Sequence, residues 1–161
     1  IRIFCYDPHT DEFTWFQHGF PKVNDADSAR VDHMLLGSDG IIYVGTVNGG
    51  FSRLDPQTGK VENLSKPFPG GRLSGLVQAS DGRIYGAGNA GYDEQLNGTT
   101  RLFAFDPKTL KLDDLGPIFD PEIGTGAYNI HMLVEGDMGI LYAGENDNTW
   151  RSSYLWECRL T

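Results

Sequence analysis

Two histidines stand in closely similar sequence contexts and are the side chains best suited to proton transfer. His33 and His131 are each followed by Met-Leu, which predicts equivalent positions in two repeated segments. Histidine exchanges a proton near neutral pH more readily than other side chains. Asp32 precedes His33, and Tyr128 and Asn129 precede His131. The pattern therefore predicts a shared polar site in which the two imidazoles are candidate bases.

A structural role for these histidines is the alternative, because a repeated histidine can also satisfy a backbone group or fill a packing position. Two histidines alone do not make a metal site, and no carboxylate is fixed beside them by spacing. The sequence requires no cofactor. Alternating Asp and Asn residues in the segment 145–148 leave Ca²⁺ open, although the EF-hand pattern is absent.

The densest polar run of the chain surrounds a tryptophan. It spans residues 144–151 and supplies these candidate ligand-binding residues: Glu145, Asn146, Asp147 and Trp150. An aromatic face with amides and carboxylates around it suits sugar recognition; a solvated loop is the alternative. Tyr92 stands beside two further acidic residues. Arg101 and Arg151 are candidates to neutralise a substrate carboxylate, unless they pair with a carboxylate of the protein itself.

Three segments share an apolar strand, an Asp-Gly or Asp-x-Gly turn and a second strand that carries a tyrosine. They span residues 32–45, 74–87 and 130–144. Asp-Gly between two apolar runs is typical of a β-hairpin, because both turn residues tolerate positive φ. We name its strands a and b. The equivalent tyrosines, Tyr43, Tyr85 and Tyr142, are predicted to pack between neighbouring sheets.

A second motif, Asp-Pro-x-Thr, alternates with the first and predicts a hairpin of two further strands, c and d. It begins at Asp7, Asp55 and Asp106, which are 48 and 51 residues apart. Four short antiparallel strands in a repeat of about fifty residues are typical of one blade of a β-propeller. A β-sandwich is the alternative, but it does not explain two turn motifs that return at a fixed period.

These motifs resemble those of the broad superfamily of Kelch, NHL, quinoprotein-type and gluconolactonase-like β-propellers. The resemblance covers nearly the whole chain, implies an all-β fold and favours no single family. The motifs give about three and a quarter blades: strands c and d in 1–18, complete blades in 31–65 and 74–116, and strands a to c in 129–160.

Closed propellers carry about 4–8 blades, and an open stack leaves apolar sheet faces exposed. We therefore expect a single segment of a six- to eight-bladed propeller, completed by the remainder of the propeller or by a second copy of the chain. In this fold the tight a–b and c–d turns share one face. The longer b–c and d–a connections share the other, which is the predicted ligand face.

Composition excludes several classes of function. The 161 residues carry 22 acidic and 13 basic side chains, for a net charge of −9, which predicts neither a nucleic-acid nor a membrane partner. The sequence is typical of a soluble globular domain, without a signal or membrane-spanning segment, and leaves the compartment open. Nucleophile-elbow, phosphate-loop, Rossmann and Cys-x-x-Cys motifs are absent. Cys5 and Cys158 are expected to be unpaired and buried.

By fold-level analogy with polysaccharide lyases that use propellers, the resemblance implies a carbohydrate-active protein, with a lyase of acidic saccharides as the first hypothesis. The roles would be a base at His131 or His33, an acid at Tyr128 or Tyr92, and a carboxylate neutraliser at Arg101 or Arg151. The alternatives are a non-catalytic propeller that binds glycan or protein, and a metal-dependent lactonase-like hydrolase with Asn129 and Glu145 near its metal. The expected ligand is a carbohydrate or another small molecule.

Overall fold

Strands joined by short turns account for the regular structure of the chain. The computed structural model describes residues 2–22, 24, 29–96 and 98–160, and this part contains no helix. A two-stranded hairpin comes first, formed by β1 (Phe4–Asp7) and β2 (Glu12–Trp15). Its turn holds the first Asp-Pro-x-Thr motif, as the sequence predicted.

Two four-stranded antiparallel sheets follow. The first sheet contains β3 (Val31–Leu36), β4 (Ile42–Thr46), β5 (Phe51–Leu54) and β6 (Val61–Ser65). The second contains β7 (Leu73–Gln78), β8 (Ile84–Asp93), β9 (Gly98–Asp106) and β10 (Lys111–Pro117). In both, strands adjacent in sequence are adjacent in the sheet, so the predicted order of strands a to d is confirmed.

A third sheet has three described strands. A small ribbon of β11 (Phe119–Asp120) and β12 (Thr125–Gly126), which the sequence did not predict, precedes it. The sheet itself is formed by β13 (Asn129–Glu135), β14 (Ile140–Asn146) and β15 (Leu155–Arg159). The described sheets do not close a ring. This all-β arrangement is consistent with part of a propeller.

The Asp-Gly turns are locked to the strand that follows them by a tyrosine. Tyr43 donates its hydroxyl hydrogen bond to Asp39 Oδ2 over 2.8 Å, and Tyr85 donates to Asp81 over 2.7 Å. The other oxygen of each aspartate accepts a backbone N–H two residues along the turn. Burial and the contact with Asp81 raise the pKa of Tyr85 to about 12. The repeated Asp-Gly-x-x-Tyr pattern is thus a turn and a packing residue coupled by one carboxylate.

Adjacent sheets pack face to face through apolar side chains. Phe51 lies 5.4 Å from Phe103 and 5.2 Å from Phe105 between ring centroids, in edge-to-face geometry. Tyr43 joins this cluster between the first and second sheets, and Tyr85 joins the next, between the second and third. The predicted packing role is therefore confirmed for these two tyrosines. Tyr142, at the equivalent place in the third sheet, is half-buried.

Two apolar surfaces, which we call the end faces, remain uncovered by described residues. One is the aromatic side of the β1–β2 hairpin, where Phe4 and Tyr6 stand before Asp-Pro as Phe103 and Phe105 do, yet are 50% and 45% exposed. The other is the outer side of the third sheet, where Met132 is 61% exposed. Each has the composition of a surface that packs against a neighbouring sheet in the rest of the molecule.

Two expectations from the sequence are wrong. The predicted b–c connection of the second blade, residues 88–100, is not a long loop, because β8 and β9 continue pairing beyond the sheet edge as far as the partners Asp93 and Gly98. Cys5 is exposed rather than buried, whereas Cys158 is half-buried. Burial raises the pKa of the Cys158 thiol to about 11.

In the part of the chain that the structure describes, no helix could cross a membrane.

The contact between the first and second sheets predicts a position-specific effect of one methyl group. A Cβ at Gly45 would fall on the backbone carbonyl of Leu73, whereas a Cβ at Gly144, at the corresponding position of the third sheet, has its nearest neighbours at 3.9 Å. We expect Gly45→Ala to lower the free energy of unfolding by about 2 kcal/mol, and Gly144→Ala to change it little. Urea denaturation measures both. Equal effects would contradict this packing.

Candidate functional site

A buried carboxylate organises the loop between β14 and β15. The Glu145 side chain is 0% exposed, and both of its oxygens accept hydrogen bonds. The donors are the guanidinium of Arg151 at 2.8 and 2.9 Å, the backbone N–H groups of Tyr128 and Tyr154 at 2.9 Å, and the side chains of Asn148 and Trp156 at 3.3 Å. Six donors around one carboxylate fix the path of the loop.

Opposing effects act on the charge of Glu145. Burial alone would raise the pKa of this carboxyl, but the hydrogen bonds from Arg151 and from the Tyr154 and Tyr128 N–H groups outweigh burial and lower it. Arg151 in turn lies 4.0 Å from the centre of the Tyr154 ring and donates to the carbonyl of Gly126 at 3.1 Å. The predicted ligand-binding Glu145 and catalytic Arg151 are therefore bonded to each other and position the loop.

Above this loop lies a group of three aromatic rings, which we call the aromatic platform: Tyr92, Tyr128 and Trp150. The Trp150 ring is 5.2 Å from Tyr128 and 6.1 Å from Tyr92. Trp150 is 70% and Tyr92 54% exposed. The backbone N–H of Trp150 donates to Asn148 Oδ1, and the Asn148 amide in turn donates to Glu145. The platform thus joins side chains of the second and third sheets on the predicted ligand face.

Tyr92 reaches the platform because β8 and β9 extend beyond the second sheet as a hairpin. Asp93 stabilises the tip of this hairpin by accepting the N–H groups of Gln95 and Leu96. At the base, the Thr100 hydroxyl donates to the Tyr128 carbonyl at 2.6 Å. Asp93 therefore orders the tip of the hairpin, and Thr100 holds its base against the segment that leads into the third sheet.

A cavity of about 710 Å³ lies beside this hairpin and includes Tyr92 in its wall. Its apolar side comes from the connection before β7 and from the end of β10, and consists of Pro67, Phe68, Pro69, Pro117 and Ile118. Its charged side chains are Asp93, Glu94, Arg101 and Asp114. The volume and mixed lining are those of a small-molecule site.

The predicted neutralising residue Arg101 is already paired within the cavity wall. Its Nε and NH2 atoms contact Asp114 Oδ2 at 3.1 and 2.9 Å. The two residues lie on the neighbouring strands β9 and β10 of one sheet, where Arg101 is opposite Pro117 and Asp114 is opposite Phe103. This bidentate pair cancels the charge that a substrate carboxylate would need.

A second charged cluster crosses three sheets where β3, β7 and β13 begin. Arg72 pairs with Asp32 through two contacts of 3.0 and 3.1 Å and lies 3.8 Å from Asp147. The Asp32 hydrogen bonds raise the pKa of Arg72. Asp147 Oδ2 is also 3.1 Å from His131 Nε2. The angle at that nitrogen is not that of a hydrogen bond, and no described residue hydrogen-bonds this buried atom.

The predicted equivalence of His33 and His131 is wrong. His33 pairs opposite Gly45 in the ladder, and its counterpart in the third sheet is Met132, opposite Gly144. His131 instead occupies the bulge position that Asp32 holds in the first sheet. The two a–b turns have the same length, because Leu36 pairs with Ile42 and Glu135 with Leu141. Aligning the His-Met-Leu runs therefore displaces strand a of the third sheet by one residue. The structure brings His131 to Asp147 and Asp32 to Arg72, and His33 takes no part in these contacts.

The remaining predicted residues lie nearby. Asn129 Oδ1 is 3.4 Å from the donor Nδ2 of Asn89, and the exposed Asn146 faces Asn129 across the ladder. Sequence reasoning missed Arg72, Phe68 and Asp114. The one available signal was the position of Arg72 directly before strand a. No group of three or more His, Cys, Asp and Glu side chains within the described ranges is placed to hold a metal ion.

No family model and no curated protein matches the chain. Solved structures do. Two crystal structures of the extracellular domain of BT4673 from B. thetaiotaomicron are 17% and 18% identical, with TM-scores of 0.60 and 0.59 over 88% and 98% of this chain. A streptogramin B lyase, of propeller type, is 18% identical with a TM-score of 0.57 over 99% of this chain.

These matches concern the fold alone, because their sequence identities are low. The matches also cover only part of each solved structure: the chain spans 18% of each BT4673 structure and 48% of the streptogramin B lyase. They agree with the arrangement of the described sheets as part of a propeller.

The Glu145 network predicts a large loss of stability on removal of one charge. Glu145→Gln leaves the Arg151 guanidinium without its counter-ion and turns an amide toward N–H donors, so the free energy of unfolding should fall by about 3 kcal/mol. The pKa of Glu145 is lowered in the folded chain. Its contribution to the free energy of unfolding is therefore complete when the pH is above the ordinary pKa of 4.5, and is lost as the pH falls below that value.

Urea denaturation at neutral and acidic pH measures this difference. The matched control is Glu157→Gln, which removes an exposed carboxylate paired with Arg159 two residues further along the same strand; we expect a change below about 0.5 kcal/mol. A Glu145→Gln deficit no larger than that of the control, or one that persists in acid, would contradict the structural role.

Proposed function

We propose that the chain is a segment of a six- to eight-bladed β-propeller that binds carbohydrate on the face of its b–c and d–a connections. The supporting observation is the aromatic platform, in which Tyr92 and Trp150 come from different sheets and remain exposed beside a cavity of about 710 Å³. Exposed aromatic rings in contact with a concave, partly polar surface are suited to stacking on a pyranose ring.

The platform is preorganised, which supports binding over a merely solvated loop. Glu145 fixes the backbone at Tyr128, and through Asn148 it fixes the N–H of Trp150. The ordering cost of these rings is therefore met on folding rather than on binding. The hydroxyl-binding groups of such a site would be the acidic and amide side chains around it, such as Glu94 and Asn148.

The end faces support the segment part of the proposal. Phe4 and Tyr6 on one end and Met132 on the other are large apolar side chains of the kind that is buried between the described sheets. We propose that further propeller blades cover both faces, with a second copy of the chain as the other possible source. Contiguous exposed apolar surfaces are uncommon on monomers and mark sites of interaction.

A lyase is the second candidate, because His131 lies 3.1 Å from Asp147 at the start of a strand and Tyr128 is three residues before it. Binding ranks ahead, because Arg101 and Arg151 both pair with carboxylates of the chain and leave the neutralising role unfilled. Glu145 gives no support to a lactonase-like metal site, since N–H donors surround its oxygens.

Binding is tested with hexasaccharides of glucosamine, N-acetylglucosamine and galacturonate, by calorimetry on the chain and its variants. We expect Trp150→Ala to weaken the tightest of these interactions by about tenfold or more, since a central aromatic contact is worth at least about 1.4 kcal/mol. Trp15→Ala removes another exposed tryptophan, which lies on an end face. This control variant should leave the affinity unchanged. Binding that tolerates Trp150→Ala would exclude the platform.

The lyase candidate has a separate test. β-Elimination breaks a glycosidic bond next to the α-proton of a uronate and leaves a new carbon–carbon double bond, which absorbs ultraviolet light. With oligogalacturonate as substrate, this candidate predicts a rise in absorbance that His131→Gln abolishes and His33→Gln does not. No rise with the unmodified chain, or a rise that His131→Gln leaves intact, would exclude His131 as the base.

A further inference from the structure

We infer that the cavity beside the aromatic platform selects saccharides that carry a protonated amine, and disfavours those that carry a carboxylate. The inference rests on the proposed carbohydrate binding and specifies the chemical class of its ligand. It concerns the cavity lined by Tyr92, Phe68 and the side chains around them. The size of the cavity, its apolar lining and the exposed Tyr92 ring define the binding site. The charge of the lining determines the preference for an amine over a carboxylate.

The charged lining of the cavity is unbalanced. Three carboxylates, those of Asp93, Glu94 and Asp114, face one guanidinium, that of Arg101. Arg101 and Asp114 neutralise each other through their bidentate pair. Asp93 uses Oδ1 on two backbone N–H groups, and Glu94 makes no hydrogen bond or ion pair with a described residue. Two carboxylates therefore face the cavity without a cation to balance them.

Three arginines of this face are each engaged by a carboxylate. Arg72 is bound by Asp32, Arg101 by Asp114 and Arg151 by Glu145. A uronate entering the cavity would have to displace one of these carboxylates or remain unpaired beside Glu94 and Asp93. Either event costs binding free energy, because a desolvated charge without a partner is unfavourable. The net charge of −9 adds a long-range field of the same sign.

A protonated amine meets the opposite situation. Glu94 and Asp93 supply acceptors for its N–H groups, and the half-exposed Tyr92 ring supplies an electron-rich face toward which a cation is attracted. The prolines and Phe68, which also line the cavity, can cover the apolar face of a sugar ring. Different side chains of one cavity thus recognise the sugar ring and its cation. Amino sugars combine these two features in a single residue.

Three hexasaccharides of equal length distinguish recognition of charge from recognition of the sugar ring. They are the hexamers of glucosamine, N-acetylglucosamine and galacturonate, which differ in the charge that each sugar carries. We expect calorimetry at low ionic strength to rank them in that order, with glucosamine bound at least about tenfold more tightly than galacturonate. Adding salt should reduce the glucosamine affinity toward that of the neutral hexamer. Equal affinities, or tighter binding of galacturonate, would overturn the inference.

Glu94→Gln assigns the effect to the cavity. It should weaken glucosamine-hexamer binding by roughly three- to tenfold and leave N-acetylglucosamine-hexamer binding within about twofold. Glu122→Gln removes an equally exposed carboxylate that does not line the cavity, and should change neither. If both variants weaken glucosamine binding equally, the preference arises from overall charge and the cavity assignment is wrong.

The two proposals fail differently in these experiments. If none of the three hexamers binds, or if Trp150→Ala has no effect on the one that does, carbohydrate binding at the platform is wrong and the inference falls with it. If binding requires Trp150 but the neutral or acidic hexamer is preferred, carbohydrate binding stands and the amine preference is overturned.

Discussion

The structure depends on a constraint on its sheets: each has two apolar faces, and both must be covered. Between the first and second sheets the constraint is met by Phe51, Phe103 and Phe105 in edge-to-face contact. Glycine at position 45 lets the backbones approach more closely than a side chain would allow. Such close packing fixes each sheet relative to the next, and it makes the connections at one edge a rigid surface rather than independent loops. The same constraint explains why the two end faces are apolar.

The candidate site follows from that rigidity together with one buried carboxylate. Stacking of the sheets brings the β8–β9 hairpin next to the β14–β15 loop, and Glu145 then orders the loop through Arg151 and several N–H donors. Trp150 and Tyr92 become neighbours although they lie far apart in sequence. The buried Glu145 carboxylate thus orders the loop that carries the exposed Trp150 ring. The arginines that hold carboxylates for this purpose are no longer available for an acidic ligand.

The sequence predicted the strands well and the site only partly, for physical reasons. Asp-Gly and Asp-Pro-x-Thr determine their turns through local contacts, such as Tyr85 with Asp81 and Thr58 with Asp55, so local pattern was sufficient. The facing of His131 was mispredicted because the matching His-Met-Leu letters lie one residue apart in the ladder, and a shift of one residue moves a side chain to the other face of a strand. The pairing of Arg101 with Asp114, and the cavity beneath Phe68, arise between segments whose approach only the packed sheets determine.

Because carbohydrate is proposed to bind on the aromatic platform, the three tryptophans of the chain allow this proposal to be tested in one titration. Their indole N–H signals report on three places: Trp150 on the platform, Trp156 in the Glu145 network and Trp15 on an end face. On addition of the glucosamine hexamer to the isotopically labelled chain, we expect a progressive shift of the Trp150 signal, a smaller shift of Trp156 and none of Trp15. A shift of Trp15 with Trp150 unchanged would contradict binding on the platform.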